Sequence, residues 1–239
     1  MKKPKMILFD SGGTLCYDVD YDTLRATRAI MPYITKNPRN VSAEELHAAL
    51  RAAHESFLPA RAEGYEISQW TMMLTACGKN GVELSLDGQS FERVFRLALT
   101  PVEMTPHIDE LLNCLNAAGI RTGVISNSKY SGLSLSERLN KLLPENRFEF
   151  FISSCDYAVC KPKKTLFEIA LAKAGLPAHE VWYCGDSVRN DVVGAQGAGM
   201  FPVLYDAEGT RRESGETLGI DFLTVSDWRE LIEELNKIE

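Results

Sequence analysis

Three apolar runs in this chain stop at groups able to do chemistry. Met6-Ile7-Leu8-Phe9 stops at Asp10 and gives way to Ser11-Gly12-Gly13-Thr14, Thr122 to Ile125 stops at Ser126-Asn127-Ser128, and Val181 to Cys184 stops at Gly185-Asp186. Runs this short and apolar read as buried strands, and the polar, glycine-rich residues after them as loops. In open parallel sheets ligands bind beyond the carboxyl ends of the strands, so an acid, a hydroxyl and a second acid converge on one rim. A carboxylate there can attack an electrophile, ligate a hard cation or cap a strand end; a hydroxyl can donate to an anion or close a turn. Taken singly, each residue is as readily structural as functional.

The elements that must position this rim follow from periodicity. From about Tyr21 to Leu99 the pattern is helical, as in Leu46, Leu50, Ala53 and Phe57 behind the capping box Ser42-x-x-Glu45. Further helices are expected over Asp22 to Ile34, Ile67 to Gly78 and Ser90 to Leu99, with breaks at Pro38, Gly64 and Gly81 to Gly88. After Thr100-Pro101, helix-like and strand-like segments alternate as in right-handed crossover units. A helix from Pro106 to Gly119 precedes the Thr122 strand, one near Leu135 to Leu143 precedes Phe148 to Ile152, and one near Leu166 to Ala174 precedes Val181 to Cys184. Phe201 to Tyr205 and Phe222 to Val225 add strands, and Trp228, Leu231, Ile232, Leu235 and Ile238 outline a terminal amphipathic helix opened by Asp227. The expected fold is α/β: a Rossmann-like parallel sheet core from residues 1–18 and 101–239, with an inserted all-helical cap over 19–100 placed as a lid above the rim.

Composition removes competing classes. With 26 Lys plus Arg against 33 Asp plus Glu the formal charge is −7, and without long basic runs a nucleic-acid partner is a poor fit. No stretch approaches the length of a membrane span, and Met1 to Pro4 leads straight into a strand, so the expected address is cytoplasmic and no membrane partner is expected. The six cysteines form no C-x-x-C pair and lie mostly in apolar segments, which suits reduced, structural thiols.

Read together, Phe9-Asp10-Ser11-Gly12-Gly13-Thr14-Leu15, Ile125-Ser126-Asn127, Lys161-Pro162 and Gly185-Asp186-Ser187 with Asp191 resemble, in order and spacing, the four motifs of the haloacid dehalogenase superfamily. The resemblance spans nearly the whole chain and extends to the subgroup with a helical cap inserted after the first motif. It implies a Mg²⁺-dependent phosphatase that hydrolyses a small phosphorylated metabolite. Asp10 would be the nucleophile that forms an aspartyl-phosphate. Asp10 and Asp186, with the Gly12 carbonyl, would hold Mg²⁺, and Asp191 would orient these groups and Lys161. Ser126, Asn127 and Lys161 would bind the phosphoryl oxygens, Lys161 adding a compact positive charge.

One departure stands out. Most phosphatases of the family carry a second Asp two residues after the nucleophile, as general acid and base; this sequence has Gly12. Positioned acid–base catalysis is worth about 10² to 10⁴ in rate. Three readings follow: a phosphatase of good leaving groups or one borrowing Asp18 or Asp20; a metal-independent dehalogenase or phosphonatase-like enzyme; or a degenerate member that binds a phosphorylated ligand without turnover. The intact acid set favours the first. Substrate choice is expected in the cap, where Arg51, His54, Arg61, Tyr65 and Trp70 offer handles.

Overall fold

The computed structural model describes residues 2–209 and 219–238. Six parallel strands form one sheet in the order β10-β9-β8-β1-β6-β7: β1 (Met6–Phe9), β6 (Arg121–Ser126), β7 (Phe148–Ser153), β8 (Val181–Gly185), β9 (Phe201–Tyr205) and β10 (Leu223–Val225). β1 is entirely buried between β6 and β8, which is why its residues are uniformly apolar. Side-chain alternation divides it: Ile7 and Phe9 join the core on one face, Met6 and Leu8 that on the other. The first face is covered by α5 (Ile108–Ala117), α6 (Gly132–Leu142) and α10 (Trp228–Lys237), through Leu111, Leu115, Leu135, Leu139, Trp228 and Leu231. After the single-turn α7 (Ser154–Tyr157), the second is covered by α8 (Lys164–Ala174) and α9 (Val193–Gly197), through Leu166, Phe167, Ala170 and Ala195.

Between β2 (Cys16–Asp18) and β5 (Val102–Met104) the chain forms α1 (Thr23–Ile30), α2 (Ala43–Ala62), α3 (Gln69–Asn80) and α4 (Gly88–Leu99). They pack around a separate cluster that includes Ile30, Leu46, Leu50, Met73, Phe91 and Phe95. The Ser42 capping box is complete, with the Ser42 hydroxyl accepting from the Glu45 amide and Glu45 accepting from the Ser42 amide. The insert is not purely helical: β3 (Ile34–Lys36) and β4 (Glu83–Leu84) form a short antiparallel pair. A second ribbon, β2 with β5, joins insert to core. Both escape periodicity because strands of two or three residues carry no readable pattern and their partners lie about 50 and 85 positions away.

The loop after β1 is fixed from below. Thr105 Oγ1 donates to the Thr14 carbonyl at 2.7 Å and accepts from Trp228 Nε1 at 3.0 Å. The Asp10 amide donates to the Cys184 carbonyl at 2.8 Å, locking the end of β1 to β8. All six cysteines are free thiols. Burial pushes Cys77 up to about 11 and Cys155 and Cys160 up to about 12, so these three stay protonated near neutral pH. Among the described residues no helix is long and apolar enough to cross a membrane.

Candidate active site

Asp10 follows β1, Ser126 ends β6 and Asp186 follows β8, so three adjacent strands deliver them to one rim. Lys161 arrives from the turn that precedes the helix Lys164–Ala174, and Asp191 from the segment that follows β8. A single π-helical turn, Val188–Val192, swings Asp191 back beneath Gly185, where a Cβ would lie 2.3 Å from the Asp191 Cγ; only glycine fits. Gly13, at φ +74°, is likewise required, since a Cβ there would lie 2.5 Å from Asp186 Oδ2.

Lys161 is the hub. Its ammonium is 2.9 Å from Asp10 Oδ1 and 2.6 Å from Asp191 Oδ1, and it donates to Tyr183 Oη at 2.7 Å and the Ile125 carbonyl at 3.3 Å. Its side chain is only 1% exposed, and a buried charge so placed requires such compensation. Burial alone would lower its pKa; the carboxylates of Asp10 and Asp191 outweigh that and raise it. Asp191 uses both oxygens, the second accepting from the Ser187 amide at 2.9 Å. Asp10, pushed up to about 6 chiefly by burial against the pull of Lys161, retains access to the cavity with 13% of its side chain exposed.

Asp10, Asp186 and Asp191 bring carboxylate oxygens within 4.8 Å of one another. An all-oxygen donor set of three carboxylates fits a hard divalent cation such as Mg²⁺.

The residues that the sequence singles out part company here. Asp10, Ser126, Asn127, Lys161, Asp186 and Asp191 line one cavity of about 510 Å³, with Gly12 on its wall. Asn127 uses its side chain on the Lys161 backbone, accepting from the amide at 2.7 Å and donating to the carbonyl at 3.1 Å. It therefore holds the Lys161 backbone in place. Asp18 lines the cavity in an ion pair with Arg138, whereas Asp20 turns to Arg25 at 2.8 Å. Of the five cap handles only Arg61 reaches the cavity. Arg51 pairs with Glu55, His54 contacts Lys129, Tyr65 lies under the Lys163 ammonium, and Trp70 packs on Phe91. Sequence reasoning missed Tyr183, Tyr21, Arg96, Lys129, Tyr130 and Arg138. For Tyr183 a signal existed, a phenol inside an otherwise apolar strand; for the others no spacing announces which helix face meets the rim.

A six-stranded parallel sheet with a helical insert after its first strand, and acids at the adjoining strand ends, defines a Rossmann-like hydrolase. The chain belongs to the haloacid dehalogenase-like hydrolase family, whose pattern matches residues 4–199. It is 26% identical over 235 residues to glyceraldehyde 3-phosphate phosphatase of Methanothermobacter thermautotrophicus, covering 97% of this chain and 99% of that protein. A shorter match, 33% identical over 97 residues, covers 41% of the chain and 40% of phosphoglycolate phosphatase of Yersinia pestis. Among solved structures it resembles a haloacid dehalogenase-type phosphatase from Thermococcus onnurineus, with TM-score 0.64, 20% identity, and coverage of 100% of this chain and 99% of that one. It also resembles 2-haloacid dehalogenase from Pseudomonas syringae pv. tomato, with TM-score 0.60, 22% identity and 99% of both chains covered. Together these make the chain a hydrolase with phosphatase relatives; the solved structures, which include both chemistries, speak to the fold alone.

Proposed function

We propose that the protein is a Mg²⁺-dependent phosphatase that hydrolyses a small phosphorylated metabolite through an aspartyl-phosphate on Asp10. The observation that carries this reading is the meeting of Asp10, Asp186, Asp191 and Lys161 at the carboxyl ends of β1 and β8. A metal-independent dehalogenase would not need that acid cluster. The relatives named as phosphatases of glyceraldehyde 3-phosphate and phosphoglycolate support the same choice, as does a cavity sized for a small ligand.

Asp10 is the nucleophile. Its carboxylate oxygen forms a bond to phosphorus as the bond from phosphorus to the ester oxygen breaks; water then attacks the aspartyl-phosphate, releasing inorganic phosphate and regenerating Asp10. Lys161, held by Asp191, Tyr183 and the Ile125 carbonyl, fixes the Asp10 oxygen it contacts and leaves the other to attack. The Ser126 hydroxyl and the Asn127 amide are the neutral donors toward phosphoryl oxygens at this rim. Asp10, Asp186 and the Gly12 carbonyl would hold Mg²⁺, which when bound supplies positive charge against the phosphoryl group and the paired carboxylates. Asp191, both of whose oxygens are engaged by protein groups, acts as a positioning residue.

Gly12 offers no proton to the departing oxygen, so substrates with good leaving groups are favoured. Of the two substitute acids suggested by sequence, Asp18 lines the cavity but is held in an ion pair by Arg138, and Asp20 is paired with Arg25. The test is phosphate release with Mg²⁺ and with chelator, using Asp10→Asn as the blank: metal-dependent turnover that the variant lacks supports the reading, and turnover retained in Asp10→Asn sinks it.

A further inference from the structure

The cavity runs from the acid rim to a wall built by the insert and α6, where Tyr21, Arg96, Leu99, Tyr130, Leu135 and Arg138 meet. The two ends differ in charge. At the rim three carboxylates, Asp10, Asp186 and Asp191, gather beside the Lys161 ammonium. At the far wall two guanidiniums, Arg96 and Arg138, face one cavity carboxylate, Asp18, which pairs with Arg138. Arg96 has no carboxylate within ion-pair distance among the described residues. Its guanidinium lies 4.5 Å from the Tyr130 ring centroid and donates to Ser134 Oγ at 3.3 Å. Glu92, the next acid of the same helix, is engaged with the amide and hydroxyl of Ser131.

A second observation is independent of the arginines. Tyr130 is only 8% exposed, lines this wall, and its hydroxyl is buried without a hydrogen-bond partner. A buried hydroxyl left unpaired costs about 1–3 kcal/mol, and a guanidinium removed from water without an anion is also unfavourable. Both deficits are relieved by one ligand that brings negative charge and acceptor oxygens. Of the other basic groups lining the cavity, Arg61 is bound to Glu66 at 2.8 Å, Lys129 contacts His54, and Lys161 belongs to the rim.

We propose that Arg96, Arg138 and the Tyr130 hydroxyl form a second anion subsite, so that the substrate is a phosphate ester bearing another anionic group, a carboxylate or a second phosphate, in place of a neutral sugar or nucleoside moiety. This rests on the reading of the rim as the phosphoryl site. A planar guanidinium fork suits either oxyanion, and Arg96, stacked on an aromatic face, is already oriented for it. Of the substrates in the relatives' names, phosphoglycolate carries a carboxylate and glyceraldehyde 3-phosphate does not, so the subsite sides with the former.

The test compares kcat/KM for phosphoglycolate and for hydroxyethyl phosphate, the same skeleton with an alcohol in place of the carboxylate. A sugar bisphosphate against its monophosphate forms the parallel arm. At least one anionic member is expected to exceed its neutral partner by about tenfold, and the arm that shows it identifies carboxylate or phosphate. Arg96→Met should collapse that ratio, Arg96→Lys should restore part of it, and Tyr130→Phe, which keeps the ring, should lower it by about two- to tenfold. A ratio near one in both arms, or an equal slowing of both members of a pair in Arg96→Met and Tyr130→Phe, overturns the subsite. If no ester is turned over, the phosphatase reading fails by itself and calorimetry with Mg²⁺ decides the subsite. Tighter binding of phosphoglycolate than of hydroxyethyl phosphate, lost in Arg96→Met, upholds it; equal binding overturns it.

Discussion

Lys161 shows how little of a residue's role its own chemistry determines. A lysine before proline in a polar loop would by itself be a solvated charge, yet here its ammonium is buried between Asp10 and Asp191 and tied to Tyr183. Gly12 is the converse, a position defined by what it lacks. A Cβ there meets nothing within 4 Å, so the first side-chain atom of an acid is accommodated. Gly12→Asp is expected to raise hydrolysis of poor leaving groups by up to about 10²-fold and of aryl esters much less. Equal gains on both classes would show that leaving-group protonation is not the missing step. Asp10 also carries a signature in stability. Its carboxyl titrates near the ordinary 3.8 when unfolded and at about 6 in the folded, metal-free protein, chiefly because of burial. The folded state thus binds the extra proton between these values. Its contribution is complete below about pH 4 and is lost as pH rises through about 6. Denaturant titrations in chelator should show wild type losing stability relative to Asp10→Asn as pH rises over that interval; a pH-independent difference would contradict the assignment of burial at Asp10.

At the scale of elements, the strands that carry the site were legible because each announces itself twice, by an uninterrupted apolar run and by the polar turn that ends it. Met6–Phe9 before Asp10 and Val181–Gly185 before Asp186 are such cases. The far wall of the cavity was not legible, because Arg96 and Arg138 sit on α4 and α6, and amphipathic spacing says which face is apolar without saying what the polar face meets. Those helices are joined directly: Glu92, buried on α4, accepts from the Ser131 amide at 3.0 Å and from its hydroxyl at 2.6 Å, at the start of α6. Arg93 and Glu137 add an exposed ion pair beside it. Glu92→Ala leaves the amide and hydroxyl of Ser131 without this acceptor and is expected to cost about 1–3 kcal/mol. A shift in the midpoint of urea unfolding with unchanged slope would report it, whereas Arg93→Ala should cost less than about 1 kcal/mol.

For the whole molecule, the division of labour follows from topology. The sheet supplies a rim whose residues are fixed by strand register and by glycines that admit Asp186 and Asp191 at close range, while the insert and α6 close the other side of the cavity. The rim was therefore readable as motifs in order along the chain, and the cavity as a whole was not, since it forms only when α4 folds over α6. Binding of a divalent cation to the rim should stabilise the entire fold. At a hundred times its dissociation constant Mg²⁺ contributes about 2.7 kcal/mol, a rise of roughly 5 to 10 °C in the thermal midpoint for a chain of this size. Asp186→Asn should abolish that rise, and a midpoint indifferent to Mg²⁺ in the wild-type protein would argue against the metal site.

The measurement that bears most directly on the central claim is phosphate release from sugar phosphates, phosphoglycolate, an acyl phosphate and an aryl phosphate, with Mg²⁺ and with chelator, for wild type and Asp10→Asn. Turnover is expected to require Mg²⁺, to favour good leaving groups and to fall by about 10³-fold or more in Asp10→Asn, whose circular dichroism matches wild type. Release that persists in chelator or in the variant, or its absence with every substrate from folded wild-type protein, would contradict that claim.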